Sequence, residues 1–416
     1  MNVPFAVSTV RKPPFREFVA LVALMMGLTA LSIDNLLPAF PPIQATFGIR
    51  DANDLQLLVY VYMLGFGVVQ LVYGPLSDAV GRRPTLLVGL SVYAAGCLLA
   101  ALAPSFQILL LARLVQGIGV SAARVLAVAI VRDCYSGREM ARVMSLTFAV
   151  FIIVPVFAPA MGSAVLLVGD WPILFLIMLG LGLAVALWFW LRMPETLHPE
   201  YRRPLSAAAV LAGVRLTVTN RIAIGYSTAM GLMFGCLMGY VGSAQQIFET
   251  EVYGLGPYFP VAFGLIAALM GVAAVVNSAL VRRLGMRRLS HGGILAFLGL
   301  AVAQVLAAIA FGGHPPLLLF GTILAGGMFF VSLTVSNFNA LAMEPLGAVA
   351  GTASAFMGFY TTLMGAFLGA LIGQSFDGTV LPLGIGYVVC STAAVLMVLW
   401  TENGRLFRPQ HPDPAP

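Results

Sequence analysis

The sequence predicts an all-α integral membrane protein, and three observations carry that prediction. Hydrophobic residues make up 60% of the 416 residues and charged residues only 9%, whereas a soluble domain has roughly a quarter charged residues. The mean hydropathy is +0.97. Apolar runs of about 20 residues recur along the chain, and each is long enough to cross about 30 Å of hydrocarbon as a helix. The loops between them are short, so we expect no sizeable water-soluble domain.

Twelve apolar runs are predicted to be transmembrane helices. Their bounds are 17–38, 53–75, 84–103, 106–131, 140–168, 171–192, 221–247, 257–281, 289–311, 315–343, 349–374 and 380–401. The first run is too long for the core of a signal peptide, so we expect it to be retained as a helix. The longest connection, 193–220, shows no apolar periodicity. It is predicted to be a cytoplasmic linker between an N-terminal six-helix bundle, 1–192, and a C-terminal one, 221–416.

The basic residues predict the orientation of these helices. With both termini in the cytoplasm, the outer side receives Arg50 alone, and Arg113 and Arg124 stay inside a helix. The remaining basic residues fall on the inner side, which the positive-inside rule favours: Arg11, Lys12, Arg16, Arg82, Arg83, Arg132, Arg138, Arg142, Arg192, Arg202, Arg203, Arg215, Arg221, Arg282, Arg283, Arg287, Arg288, Arg405 and Arg408. This asymmetry explains the basic pI, so no nucleic-acid partner is expected.

The two predicted halves repeat one feature at the same place. Gly-Arg-Arg-Pro at 81–84 follows the second helix, and Arg-Arg-Leu-Gly-Met-Arg-Arg at 282–288 follows the eighth. Duplicated six-helix halves are typical of secondary transporters, which bind substrate between the halves near the membrane midplane. No phosphate-binding G-x-x-x-x-G-K-[ST] loop is present, so no nucleotide or other cofactor is expected.

Residues 74–84 read Gly-Pro-Leu-Ser-Asp-Ala-Val-Gly-Arg-Arg-Pro. They resemble the loop signature of the major facilitator superfamily, G-x-x-x-D-basic-x-G-R-basic. The resemblance implies a conformational latch made by Gly74, Asp78, Gly81, Arg82 and Arg83. The glycines allow tight turning, and the Asp78 carboxylate can hold a cation or a helix N-terminus. Ala79 stands where a basic residue is usual, so one charge of the family's relay is missing. The alternative is that these charges only fix topology.

Residues 113–119 read Arg-Leu-Val-Gln-Gly-Ile-Gly and resemble the R-x-x-Q-G-x-G signature of the superfamily's drug exporters. A charged Arg113 within an apolar run costs about 2.5–3.5 kcal/mol or more unless it faces a partner or water. Arg124 follows three turns later on nearly the same face. Two arginines on one face predict a wet cavity wall, with Gln116 and Arg124 as candidate substrate contacts. The alternative is that each arginine is a structural partner of a backbone carbonyl.

The fifth predicted helix contains Val-Pro-Val-Phe-Ala-Pro-Ala-Met-Gly at 154–162. It resembles the A-P-x-x-G form of the antiporter signature in bicyclomycin-resistance and CflA-type exporters. Pro155 and Pro159 free backbone carbonyls and bend the helix, and Ala158 and Gly162 present a small face for another helix. These four residues are the candidate antiporter hinge. The alternative is an ordinary kinked helix.

Three further stretches resemble the same subfamily. They are Asp-Asn-Leu-Leu-Pro-Ala-Phe-Pro at 34–41, Met-Pro-Glu-Thr-Leu at 193–197 and Ala-Gly-Thr-Ala-Ser-Ala at 350–355. Together the resemblances cover nearly the whole chain. They imply a major facilitator fold of two pseudo-symmetric six-helix bundles and a monomeric, proton-coupled antiporter in the bacterial inner membrane. Such a protein moves small lipophilic drugs or related molecules outward against protons by alternating access.

Rival functions remain open. Export or import of a native small metabolite, such as a sugar or amino acid, fits the same fold. A membrane-embedded enzyme needs clustered acids or a Ser/His or His/Asp set, and Asp34 is the one clear acid within the predicted spans. A receptor built on a transporter fold is a third possibility. The four cysteines show no disulfide framework or metal-ligand spacing. His198, His291 and His314 fall in or near predicted loops and His411 in the tail, so we expect them to be solvated.

The candidate proton-coupling pair is Asp34 and Arg113. At 1.5 Å rise per residue they lie at similar depths on the first and fourth helices, within about 5 Å. A rearrangement that changes their separation changes the proton affinity of the carboxylate. The alternatives are a fixed ion pair or an Asp34 already in outer-surface water. Additional cavity candidates, each open to a packing role instead, are Tyr60, Tyr62, Tyr240, Gln245, Asn337 and Asn339.

Overall fold

The structure is a computed structural model that describes residues 13–202 and 204–407. Of the basic residues assigned to the inner side, Arg11, Lys12, Arg203 and Arg408 lie outside the described residues, as does His411. The described chain is helical, with loops and short 3-10 turns and no β-strand. Its first helices are α1 Phe15–Asp34, α2 Phe40–Phe47, α3 Leu57–Val68, α4 Gln70–Val80, α5 Arg82–Ala101, α6 Phe106–Cys134, α7 Gly137–Leu166 and α8 Pro172–Arg192.

Seven further helices follow α8. They are α9 Ala207–Thr219, α10 Arg221–Gln245, α11 Phe259–Leu284, α12 Met286–Ala310, α13 Leu317–Met343, α14 Ala350–Gln374 and α15 Leu381–Thr401. A π-helical segment, Gln246–Thr250, extends α10. The second half of the predicted linker 193–220 is thus helical, because it forms α9. The predicted domains 1–192 and 221–416 stay a prediction.

Eleven helical segments of the described chain are long and apolar enough to cross a membrane. The fifth predicted span, 140–168, lies in α7, whose apolar stretch is the shorter Ile153–Leu166. Large apolar side chains on these segments are exposed, such as Leu318 at 85% and Val275 at 71%. Exposed apolar side chains along a span are suited to contact with lipid, so the chain is a multi-pass α-helical membrane protein.

Proline placement explains where the first predicted helix departs from its expected bounds. The prediction ran to residue 38, whereas α1 ends at Asp34. A 3-10 turn, Leu37–Ala39, contains Pro38 and leads into α2. Pro41 and Pro42 lie in the first turn of α2, where a missing backbone N–H is tolerated. Asp34 therefore lies at a helix end rather than within a continuous helix.

The described chain divides into two compact units. Unit one comprises the residues up to Ile43 together with Val61–Val210. Within it α5 packs against α6 and α8, and α1 packs against α7 and α6. A side chain at Gly119 of α6 would collide with the Tyr93 backbone of α5, so the small residue is what permits this close approach.

Unit two comprises Gln44–Tyr60 and the chain from Leu211 onward. Within it α10 packs against α13, α14 and α15, α12 against α13 and α15, and α11 against α13. Three glycines of α10, Gly231, Gly235 and Gly239, face successive side chains of α14. Small residues spaced four apart let two membrane helices approach closely. Residues 44–60 belong to this unit although the chain before and after them belongs to unit one.

Candidate functional site

Arg113 lies where α6 and α3 of unit one approach closely. A Cβ at Gly117 would collide with the backbone carbonyl of Tyr62, and one at Gly65 would collide with the carbonyl of Leu114. Two glycines therefore bring the two backbones together, as the R-x-x-Q-G-x-G pattern allows. The Arg113 side chain, one turn before Gly117, is fully buried.

The Arg113 guanidinium contacts Gln116 and Tyr62. Its Nη1 donates to Oε1 of Gln116 at 2.8 Å, and its Cζ lies 4.3 Å from the centroid of the Tyr62 ring. The Gln116 amide in turn donates to Sγ of Cys97 at 3.0 Å. A cation over an aromatic face is attracted by the ring quadrupole, more strongly when the pair is desolvated. Gln116, predicted as a cavity residue, is thus fully buried beside Arg113.

Asp34 is also buried, with 6% of its surface exposed. Among the described residues no ion pair joins it to Arg113 or to another cation. Tyr62 connects Arg113 to α1, since its ring faces the Arg113 guanidinium and its hydroxyl donates to the backbone carbonyl of Thr29 on α1 at 3.1 Å. The phenol of Tyr62 therefore links Arg113 to the helix that ends at Asp34.

A further polar contact joins α1 to α5. The hydroxyls of Ser32 on α1 and Tyr93 on α5 lie 2.8 Å apart, and Ser32 also donates to the Leu28 carbonyl. Both side chains are fully buried. We call these residues the buried polar cluster of unit one; its members are Thr29, Ser32, Asp34, Tyr62, Tyr93, Cys97, Arg113 and Gln116.

The predicted hinge lies beside Asp34. Pro155 and Pro159 are both inside α7, and Ala158 is fully buried. A Cβ at Gly162 would collide with the backbone carbonyl of Asn35, the residue after Asp34. The small face of α7 therefore packs against the end of α1, next to the buried carboxyl.

The predicted latch is assembled around Arg82. Its Nη1 donates to Asp78 at 2.5 Å and its Nε donates to Asp133 at 2.9 Å. Gly81 has φ +118°, a conformation that a side chain disfavours, and it lets α5 begin directly with Arg82. Arg83 turns away and donates to the Trp190 carbonyl at 2.7 Å. Gly74 lies on α4, whose Ser77 hydroxyl donates to the Gly74 carbonyl.

Two acids of this latch were not predicted. Asp133 follows the apolar part of α6, and Glu195 lies in the Met-Pro-Glu-Thr-Leu segment after α8. The carboxylate of Glu195 accepts from the backbone N–H groups of Arg82 and Arg83 at 2.9 and 3.1 Å. An acid at a helix N-terminus satisfies free N–H groups there. Glu195 is part of the Met-Pro-Glu-Thr-Leu motif, but the sequence alone did not show that its carboxylate would reach the turn at Gly81.

The other cavity candidates are divided between the two units. Arg124 is half-buried on α6. Tyr60 belongs to unit two, whereas Tyr62 belongs to unit one, because residues two apart on a helix point in different directions. In unit two Tyr240 stacks on Phe263 with centroids 5.5 Å apart. Two more candidates there are Gln245, which is buried, and Asn339, which is exposed.

One candidate of unit two has a clear structural contact. Asn337 is buried on α13, and its amide donates to Oδ1 of Asn277 on α11 at 2.7 Å. It also donates to the Leu333 carbonyl at 2.8 Å. This bond joins two helices, which is the packing alternative considered for this residue.

A buried cluster in unit two was missed. The Tyr226 hydroxyl donates to Oε1 of Glu402 at 2.5 Å, and Arg287 Nε donates to the same oxygen at 2.9 Å. The expectation that His291 is solvated is wrong, because its side chain is fully buried. Its Nδ1 accepts from the Phe407 N–H at 3.0 Å, and its Nε2 lies 3.0 Å from the Tyr226 hydroxyl. These contacts fit a neutral imidazole that carries its proton on Nε2.

Comparison with known proteins identifies the family. The model of the Major Facilitator Superfamily matches residues 22–370. An uncharacterized MFS-type transporter of Bacillus subtilis is 31% identical over 381 residues, covering 89% of this chain and 92% of the relative. The bicyclomycin resistance protein homolog of Haemophilus influenzae is 27% identical, covering 94% and 97%. The chloramphenicol resistance protein of Pseudomonas aeruginosa is 31% identical, covering 83% and 80%.

Solved structures share the fold. The xylose transporter of E. coli superposes with a TM-score of 0.70 at 13% identity, covering 93% of this chain and 97% of that one. The human organic anion transporter MFSD10 superposes with a TM-score of 0.64 at 19% identity, covering 94% and 100%. The predicted family is therefore confirmed, and the enzyme alternative is excluded. With these motifs, this fold and relatives of nearly equal length, the chain belongs to the Major Facilitator Superfamily and is a membrane transporter.

Proposed function

We propose that this transporter is a proton-coupled antiporter that exports lipophilic drugs or related small molecules across the bacterial inner membrane by alternating access. The observation that carries the proposal is the buried polar cluster of unit one. It holds a carboxyl, Asp34, at the end of α1 and a guanidinium, Arg113, whose neighbouring phenol, Tyr62, bonds to the same helix. The proposed architecture has twelve transmembrane helices in two six-helix halves, with both termini in the cytoplasm and the protein a monomer.

Proton exchange is the chemistry to which Asp34 is suited. An ionised carboxylate buried without a paired cation is costly, and no described cation pairs with Asp34. Such a group binds a proton when closed off from water and releases it when water or a cation gains access. The position of Asp34 at the end of α1, beside Gly162 of the hinge helix, supports a coupling between bending of α7 and access to this carboxyl.

Tyr62 gives the proposed pair a route of communication. Its ring supports the guanidinium of Arg113 and its hydroxyl is bonded to α1 at Thr29. A displacement of α1 therefore shifts the phenol and changes the field at the arginine. In this scheme substrate binds when Asp34 is ionised, so substrate and proton compete for the same conformation of the transporter. Such competition couples the outward movement of substrate to the inward movement of protons.

The substrate class is supported by the relatives. Two of them are named for resistance to bicyclomycin and to chloramphenicol. We propose that substrate contacts Arg124, Tyr240, Gln245 and Asn339. Asn337 and Tyr60 are proposed to hold neighbouring side chains in place. Asp78 and Arg82 are proposed to latch one conformation, since their ion pair joins the end of α4 to the start of α5 across Gly81.

The wet face of α6 can be tested separately. Arg124→Cys in a cysteine-free background should react with a small hydrophilic thiol reagent in at least one transport state. The matched control is Leu126→Cys, at a fully buried position of the same helix, which should stay unreactive. An Arg124→Cys variant as inert as the control in every state would show that this face is dry.

The proposed function is tested by flux. The purified wild-type protein in liposomes should move a bicyclomycin- or chloramphenicol-type compound against its gradient when a pH gradient is imposed. The pH of the liposome lumen should change in step with this flux. Equal flux with the gradient collapsed would remove proton coupling from the account. A substrate panel of sugars and amino acids then tests the metabolite alternative.

A further inference from the structure

Residues 44–60, which we call the strap, are part of unit two although the chain on both sides of them belongs to unit one. The strap contains the end of α2, a 3-10 turn Ala52–Gln56 and the start of α3. The Asp51 carboxylate accepts from the Asn53 N–H at 2.9 Å and so caps the turn. Gln44 donates to the Ile49 carbonyl at 3.2 Å, a bond within the strap itself.

Side-chain amides join the strap to the ends of α10 and α14. The Gln374 amide donates to the backbone carbonyl of Asn53 at 2.6 Å, and the Asn53 amide donates to the Phe376 carbonyl at 2.9 Å. Gln56 donates to Oε1 of Gln246 at 2.5 Å and to the Gly373 carbonyl at 3.0 Å. Gln246 completes the set by donating to Oδ1 of Asn53 at 2.8 Å.

Two glycines of unit two leave room for the side chains of the strap. A Cβ at Gly373 would collide with Oε1 of Gln56 and the hydroxyl of Tyr60, and a Cβ at Gly242 would collide with the same hydroxyl. Gln56 and Gln246 are almost fully buried when docked. Gln246 also begins the π-helical segment Gln246–Thr250, a feature that is frequent at functional sites.

The chemistry of this contact suits repeated making and breaking. The four amides that carry the bonds are neutral, so undocking exposes polar groups that water can satisfy without separating charges. A cavity of about 500 Å³ adjoins the contact and is lined by Asn53 and Gln246 together with the charged Arg50, Asp51 and Glu251. Water therefore reaches the edge of the contact. Neutral hydrogen bonds exchanged for water contribute little each, which favours a reversible contact.

We propose that the strap is a releasable amide clamp, which stays docked while the outer side of the transporter is closed and undocks when that side opens. Helix α3 transmits the movement, since it begins in the strap at Leu57 and continues unbroken to Val68. The assignment of this end to the outer side rests on the proposed function.

The clamp is tested first without transport, by hydrogen exchange of peptides covering 44–60 in the purified protein. Gln56→Ala and, separately, Gln246→Ala should speed exchange of the strap by roughly tenfold, the scale of losing one or two neutral hydrogen bonds. Gln44→Ala removes an amide of the same strap that bonds only within it, so exchange in the rest of the strap should match the wild type. Equal exchange in all three variants would overturn the clamp.

A second test locks the clamp. The Asn53→Cys/Gln374→Cys pair, in a background without the native cysteines, should form a disulfide on oxidation, stop export and regain it on reduction. Export that continues with the disulfide fully formed would also overturn the clamp. If the hydrogen-exchange results are as expected but the wild type shows no proton-driven export, the clamp is supported and the proposed function is contradicted.

Discussion

The turn at Gly81 in unit one and the turn at Gly285 in unit two start a helix in the same way. Each glycine has positive φ, +118° and +80°, and ψ 156°, and an arginine follows in the first helical turn. In the Gly81 cluster Arg82 is held by Asp78 and Asp133. In the Gly285 cluster Arg287 is held by Glu402 and Glu344.

The two clusters differ in the burial of one acid each, Asp78 and Glu402, while their second acids, Asp133 and Glu344, are 14% and 50% exposed. The Asp78 side chain is 40% exposed, so its ion pair with Arg82 can exchange with water. The Glu402 side chain is fully buried and shares one oxygen between the Tyr226 hydroxyl and Arg287. The exposed Asp78–Arg82 pair is therefore suited to switching. The enclosed Glu402–Arg287 pair is suited to fixing the helices of unit two. This difference predicts a graded response to removal of each acid.

The largest expected effect is on the Gly285 cluster. Glu402→Ala removes the acceptor that the buried Tyr226 hydroxyl shares with Arg287, whose side chain is 14% exposed, and breaking a buried ion pair costs up to about 3–5 kcal/mol. The melting temperature of the purified protein should fall sharply. Glu344→Ala is the matched control, because Glu344 is half exposed and such pairs contribute about 0–1 kcal/mol. Similar losses in both variants would remove the proposed contrast.

An intermediate effect is expected at Asp133. Asp133→Asn keeps the shape but weakens the bond to Arg82 Nε, which remains bonded through Nη1 to Asp78 and Ser77. A hydrogen bond to a charged group contributes about 1.5–3 kcal/mol. We expect a smaller fall in melting temperature than for Glu402→Ala, measured in the same detergent. A fall as large would mean that the Gly81 cluster is as closed as the other.

The smallest effect on stability is expected at Asp78. Asp78→Asn loses a partly exposed ion pair that contributes about 1 kcal/mol or less. Transport should nevertheless fall, while equilibrium substrate binding stays near the wild-type value, because the latch acts on conformational exchange. Binding assays beside flux assays separate the two. A folded variant that no longer binds substrate would place Asp78 in the binding machinery instead.

Sequence reasoning succeeded where a local pattern carries the constraint. Gly81 and Gly285 were paired by position, and each has the strained turn that only glycine favours. The R-x-x-Q-G-x-G pattern located Arg113, and its glycines bring Arg113 to Tyr62. The breaks near Asp34 follow from Pro38, Pro41 and Pro42, but a hydropathy window averages over such breaks, so the end of α1 was placed four residues too late.

Sequence reasoning failed where contacts join distant parts of the chain. Glu402 and His291 lie near predicted span ends, where hydropathy treats polar residues as solvated, yet they meet Tyr226 from far along the sequence. Tyr60 and Tyr62 were predicted alike, but the helix turns their side chains apart. The strap shows the same limit, since no local signal indicates that Gln56 bonds to Gln246.

The central claim is that Asp34 carries the coupling proton, and the Asp34→Asn variant tests it most directly. In liposomes the variant should insert, keep a melting temperature near that of the wild type and bind substrate. The proposal predicts that it no longer exports substrate against a gradient under an imposed pH difference, and that its residual flux no longer varies with pH. Uphill export with the wild-type pH dependence in this variant would contradict the account.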